Sequence, residues 1–215
     1  MILDSLVDFT ELKYVFSENI VIDNCLSEDE NNLAKKFIEK RKQEFNVGRF
    51  CAKKALRKLG LDVNQILKGE SGEPLWPLEI VGSISHTNNI VVSVVGYKEN
   101  YLSIGVDVEC VGRIKRNMWD NLFTRKEQDY LSLYSGAELE EKTTLFFSLK
   151  ESYYKMQYQL TKKKLWFDDV EIKEVGAQFL VLDKTSDQMS LFGKISLINE
   201  VQNKMVFTCV VASKN

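Results

Sequence analysis

The sequence predicts an α+β chain, on three observations. Apolar residues recur at helical spacing between residues 33 and 59 and again between 139 and 158. Alternating, β-branched runs occupy 80–109 and 167–212. The two kinds of segment do not follow one another as regular βα units. At 215 residues, 44% hydrophobic and 28% charged, the chain suits one compact domain or two small, tightly joined halves, with enough apolar material for a core.

The first helix is signalled by Ser27-Glu-Asp-Glu30, a capping box that opens a segment carrying Leu33, Phe37 and Ile38 on one face. A second helix follows with Phe45, Phe50, Ala52, Ala55, Leu56 and Leu59 at helical spacing, and Gly60 supplies its stop. Arg41, Arg49, Lys53 and Arg57 are expected on its remaining surface. The stretch Lys68-Gly-Glu-Ser-Gly-Glu-Pro-Leu-Trp-Pro77 gathers both prolines of the chain and reads as an ordered loop.

Ile80–Ser85 and Ile90–Tyr97 read as strands around a turn at Ser85–Asn89, and Leu102–Glu109 as a third strand expected to pair with them in one sheet. Thr124 to Glu127 is another capping box, for a helix expected to end near Gly136, and Leu139–Tyr158 is expected as a longer amphipathic helix. Four strands should follow, at about Phe167–Lys173, Phe179–Leu182, Met189–Ile198 and Met205–Ala212. A division of the chain near residue 100 gives halves of 1–100 and 101–215.

Composition excludes several functions. The 29 basic and 31 acidic residues leave a formal charge of -2, so no overall field draws the chain to nucleic acid or to an anionic membrane. Four scattered cysteines (Cys25, Cys51, Cys110, Cys209) and a single histidine make no zinc or disulfide framework, and the cysteines should be reduced and mostly buried. Met1–Thr10 carries Asp4 and Asp8 without a basic start, unlike a signal peptide, and Ile90–Gly96 is far too short to span a bilayer. These features predict a cytoplasmic protein without stable membrane insertion.

Candidate chemistry starts at Gly105-Val-Asp-Val-Glu109. Strand alternation puts Asp107 and Glu109 on one face with Cα atoms about 6.6 Å apart, a spacing that serves equally a solvated strand face or a hard cation held against phosphate. In Phe147-Ser-Leu-Lys-Glu-Ser-Tyr-Tyr-Lys155, Glu151 and Lys155 sit four apart on a helix. That is a common surface pair, but here it lies in an otherwise apolar stretch. His86 beside Ser85 either donates to a phosphate or caps its turn. Neighbouring Ser85 and His86 diverge, and G-x-S-x-G, Walker and G-x-G-x-x-G sequences are missing, which disfavours a hydrolase or a nucleotide fold built on those loops. The arginines of 41–57 suit either solvent or a phosphate clamp, and Lys162-Lys-Lys164 leans to solvent.

Taken in order, Arg41 with Glu44-Phe45 and Gly48-Arg49, Gly72-Glu-Pro-Leu-Trp-Pro77, Gly82-Ser-Ile-Ser-His86, Gly105-Val-Asp-Val-Glu109 and Phe147 to Lys155 resemble the Sfp-type 4′-phosphopantetheinyl transferases, especially the enterobactin synthetase component D branch. The resemblance implies a 4′-phosphopantetheinyl transferase fold of two pseudo-twofold-related halves, the first binding coenzyme A and the second carrying magnesium and the catalytic residues. It implies magnesium on Asp107, Glu109 and Glu151, with Glu151, Lys155 and Asp107 catalytic. Arg41, Arg49, Gly72, Glu73, Pro74, Ser85, His86 and Lys155 would surround coenzyme A. Glu73 replaces a lysine common in the family, which implies contact through its backbone. The implied reaction transfers 4′-phosphopantetheine to a serine of an acyl, aryl or peptidyl carrier protein, in siderophore or other secondary metabolism, by a monomer. The competing class is a coenzyme A or nucleotide-binding module that performs no transfer.

Overall fold

The computed structural model describes residues 11–18, 25–88, 90–185 and 193–214. The expectation for Met1–Thr10, the last residue of the expected 85–89 turn and residues 189–192 of an expected strand lie outside them. Among the described residues the strands are β1 (Lys13–Ser17), β2 (Ile80–Thr87), β3 (Ile90–Tyr97), β4 (Tyr101–Cys110), β5 (Val170–Val175), β6 (Gln178–Asp183), β7 (Lys194–Gln202) and β8 (Met205–Ser213). The α-helices are α1 (Glu28–Ala34), α2 (Glu39–Lys58), α3 (Trp119–Leu122), α4 (Arg125–Leu131) and α5 (Gly136–Thr161).

The α+β class holds, with two antiparallel three-stranded sheets in the orders β1-β3-β2 and β4-β8-β7, and a β5-β6 hairpin. α2 lies across β1 and β3, and α5 across β4 and β8, so each half repeats one long helix on one small sheet. Val81, Val92 and Val94 meet Ile104, Val106, Val108, Phe207 and Val211 in a shared core. This apolar contact fuses the halves, because neither sheet can leave that face in water.

Both capping boxes form: Ser27 with Glu30 opens α1, and Thr124 with Glu127 opens α4. Their carboxylates reach further than a helix start requires. Glu30 is fully buried, 2.6 Å from Lys53 Nζ, and accepts the Ile66 amide; Glu127 is buried against Lys150 at 2.6 Å and accepts the Ile172 amide. Such buried charges persist because each is paired and hydrogen-bonded.

Several expectations need correction. α1 stops at Ala34, so Phe37 and Ile38 lie outside it, and Ile38 instead precedes α2 as its exposed N-cap residue. Arg49 and Lys53 are buried on α2 rather than on its wet face. β2 runs on through Thr87, which puts Ser85 and His86 in a strand and not in a turn. β4 joins β8 instead of β3, since β1 and β2 already occupy both edges of β3. Gly136 begins α5 rather than closing the helix before it, which ends at Leu131.

Candidate functional site

β2 and β4 run side by side at the joint between the two sheets, and side chains take over where a backbone ladder would be. Ser83, Ser85 and Thr87, alternate residues on one face of β2, meet Val106, Asp107 and Glu109 of β4. Ser83 Oγ accepts the Val106 amide at 3.1 Å, Ser85 Oγ donates to Asp107 Oδ1 at 2.8 Å, and Thr87 Oγ1 donates to Glu109 Oε2 at 3.3 Å. Asp107 and Glu109 therefore share one face, as strand alternation requires, with Val106 and Val108 turned into the core.

α5 closes the other side. It comes so near β4 that a Cβ on Gly105 would sit 1.9 Å from the Ser152 carbonyl oxygen, which only glycine permits. From that helix Ser148 Oγ donates to Asp107 Oδ2 at 2.9 Å. Lys155 Nζ donates to Asp107 Oδ1 at 2.8 Å, to Ser85 Oγ at 3.1 Å and to the Val106 carbonyl at 3.0 Å. Ser148, Ser152 and Thr208 link their hydroxyls below this contact, at 2.8 and 2.7 Å. Asp107 thus has every near oxygen satisfied in a buried position, the condition under which a buried carboxylate is tolerated.

Glu151 lies on α5 between Ser148 and Lys155. Among the described residues its carboxylate has no hydrogen-bond or ion-pair partner. Burial pushes its pKa up and Asp107 adds to this, while Lys155 and Arg113 act the other way. Glu109 is also held above the usual carboxylate range, by burial first and Asp107 second, against the pull of Arg113, whose Nη1 lies 2.6 Å from Oε2. Among the described residues, no group of three His, Cys, Asp or Glu side chains is drawn together tightly enough to hold a metal ion. The donor chemistry nonetheless fits a hard divalent cation. Asp107 disfavours charge on both Glu109 and Glu151, and oxygen donors of this kind suit magnesium.

Across the joint, α2 supplies a second set of groups. Arg41 Nη1 contacts His86 Nε2 and lies 3.3 Å from Glu44, which is 3.6 Å from His86 Nδ1. Burial holds His86 below its usual pKa, so the neutral ring can accept from Arg41. Arg49 is buried beneath the Phe45 ring, donates to the Leu67 carbonyl at 3.3 Å, and has its Nε 4.0 Å from Glu30 Oε1, an ion pair without a hydrogen bond. Burial lowers its pKa to about 10. Arg41, Arg49, Lys68, Gly72, Pro74 and His86 line one small cavity of about 90 Å³. Beside it, a cavity of about 230 Å³ runs from Gly72, Pro74 and Trp76 past Gly82 to Tyr154 and Lys155.

The 68–77 loop is ordered by its own contacts. Gly72 takes φ +98°, Trp76 Nε1 donates to the Gly82 carbonyl at 2.9 Å, and Glu73 lies 3.2 Å from Lys162 Nζ. For Glu73 burial acts upward, but its backbone bonds and Lys162 outweigh it and the carboxyl is held low. Lys162 is therefore tied to the loop, while Lys163 and Lys164 are exposed. All four cysteines are free thiols; Cys51 and Cys209 are buried, Cys25 and Cys110 partly so.

The structure thus brings Asp107, Glu109, Ser85 and Lys155 together, sets Glu151 beside them, and gathers Arg41, Arg49, Gly72, Pro74 and His86 into the adjoining cavity. Sequence reasoning missed Ser83, Thr87, Ser148, Lys68, Arg113 and Thr208. The Ser-x-Ser-x-Thr alternation of 83–87 was a visible signal for the first two; the others face the site only through tertiary contacts.

Residues 29–96 match the 4′-phosphopantetheinyl transferase N-terminal domain, and residues 103–202 match the 4′-phosphopantetheinyl transferase superfamily. The chain is 34% identical over 143 residues to 4′-phosphopantetheinyl transferase Npt of Nocardia iowensis, covering 66% of this chain and 64% of that protein. It is 35% identical over 144 residues to 4′-phosphopantetheinyl transferase PptT of Mycobacterium tuberculosis, covering 67% and 63%. It is 31% identical over 158 residues to enterobactin synthase component D of Escherichia coli, covering 73% of each. The matched region thus spans just under two thirds of the first two relatives. Among the described residues, no helix is long and apolar enough to cross a membrane.

Proposed function

The chain belongs to the 4′-phosphopantetheinyl transferase superfamily, and on that premise we propose that it transfers 4′-phosphopantetheine from coenzyme A to a serine of an acyl, aryl or peptidyl carrier protein, releasing adenosine 3′,5′-bisphosphate. The observation that carries the reading is the meeting of Lys155, Ser85 and Asp107 within 3.1 Å at the joint of the halves, beside Glu151, which has no partner among the described residues.

In this reading Arg41, Arg49, Lys68 and His86 bind the phosphates of coenzyme A, a role suited to fixed guanidinium donors. The Gly72-Glu73-Pro74 backbone shapes the wall beside them, and Ser85, whose proton goes to Asp107, presents its hydroxyl oxygen and holds Lys155 there. Asp107, Glu109 and Glu151 would hold magnesium, which supplies charge neutralisation at the pyrophosphate. The carrier serine Oγ attacks the β-phosphorus, and the bond from that phosphorus to the bridging oxygen of the adenosine bisphosphate breaks. Glu151 accepts the serine proton, directly or through a water. Lys155 stabilises the charge that develops on the phosphoryl oxygens. The first half would bind coenzyme A and the second would carry the metal and proton chemistry. The protein would work as a cytoplasmic monomer in siderophore or related secondary metabolism, without nucleic acid.

The test incubates the protein with magnesium, coenzyme A and a panel of apo carrier proteins. Intact-mass spectrometry should show one added phosphopantetheinyl group on at least one carrier. Binding of coenzyme A with no mass gain on any carrier would favour a binding module instead.

A further inference from the structure

Glu109 and Arg113 form the shortest contact at the carboxylate site, 2.6 Å between Oε2 and Nη1, and the two partners are unlike in freedom. The Glu109 side chain is 7% exposed and fixed within β4, whereas that of Arg113 is 53% exposed. Arg113 stands just past the end of β4 on a turn in which Gly112 takes φ +83° and the Arg113 amide donates to the Cys110 carbonyl at 3.2 Å. A cavity of about 490 Å³ adjoins it, lined by Lys40, Glu44, His86, Thr87 and Cys110 among others. Apart from Arg113, the Glu109 carboxylate has one hydrogen bond among the described residues, the long one from Thr87 at 3.3 Å. The Asp107 pair differs, because Lys155 is pinned by three acceptors on β2 and β4.

We propose that Arg113 is a counter-ion gate on the carboxylate site, holding Glu109 when no divalent cation is bound and swinging into the adjoining cavity when one binds. The proposal rests on the magnesium reading above. Glu109 can give its charge to the guanidinium or to the cation, and a buried carboxylate needs one of them. Arg113 is a positioning residue here, acting on the metal through Glu109.

The experiment titrates magnesium chloride into metal-stripped wild type, Arg113→Ala and Arg113→Lys by calorimetry. Arg113→Ala should bind roughly 10-fold more tightly, since no charge-assisted hydrogen bond has to be broken, with Arg113→Lys in between. A double-mutant cycle of Arg113→Ala with Glu109→Gln, read from denaturant midpoints, should show coupling in a chelator that vanishes in saturating magnesium. Equal or weaker binding by Arg113→Ala, or coupling that persists in magnesium, overturns the gate while leaving the magnesium reading intact. Absence of magnesium binding by every variant overturns the magnesium reading and the gate with it.

Discussion

Lys155 Nζ lies 2.8 Å from Asp107 Oδ1 and at the same time 3.0 Å from the Val106 carbonyl, so one ammonium ties α5 to β4 at the centre of the site. Lys155→Ala should leave Asp107 buried with its hydroxyl donors but no counter-charge. Expected are a loss of about 1–3 kcal/mol in denaturant unfolding and a fall in transfer rate of at least about 100-fold. A rate loss no larger than the stability loss explains would reduce Lys155 to a structural tie.

Glu151→Gln should behave in the opposite way. Because burial raises the Glu151 pKa, the folded state holds its proton more firmly than the unfolded chain does, and stability falls as pH rises through the ordinary 4.5 toward the folded value. The glutamine variant lacks this decline, so above that window it should be as stable as wild type or more so. Transfer should drop by roughly 100- to 10,000-fold. Thermal melts across pH paired with carrier mass assays check both arms.

Gly105→Ala places a methyl group 1.9 Å from the Ser152 carbonyl oxygen and 2.6 Å from the Met156 amide nitrogen. α5 must retreat from β4, at a cost of about 1–3 kcal/mol or more. Lys155 and Glu151 ride on the displaced helix, so activity measured well below the melting temperature should fall as well. Full activity under those conditions would mean that the close approach serves stability alone.

Lys150→Met should cost about 3–5 kcal/mol by stranding Glu127, which is buried with it at 1% exposure. Lys150 also holds the Leu122 and Phe167 carbonyls, so those loops lose their anchor. Combining it with Glu127→Gln should recover part of the loss, and chemical denaturation of the single and double variants measures how much.

How much was legible depended on the range of the signal. β3 was found at its true limits, both capping boxes formed, and the carboxylate face followed from alternation, because each is set by residues within a few positions of one another. The fates of Arg49 and Lys53 were misread because a charge run looks the same whether it faces water or a buried carboxylate, and Glu30 lies on another helix. Gly136 was misread because glycine marks helix ends of either kind.

By itself the sequence determined most of the longer elements, though not β1 or α3, together with the shared face of Asp107 and Glu109, the spacing of Glu151 and Lys155, and the ordered motifs of the family. Only the tertiary structure decided that β4 leaves the first sheet for β8, that Ser83, Ser85 and Thr87 stitch the joint, and that Arg113 rather than a third carboxylate is the nearest partner of Glu109. The physical reason is that periodicity records which side of an element is apolar, whereas strand partners and counter-ions are chosen by which faces and edges remain free once the core has closed.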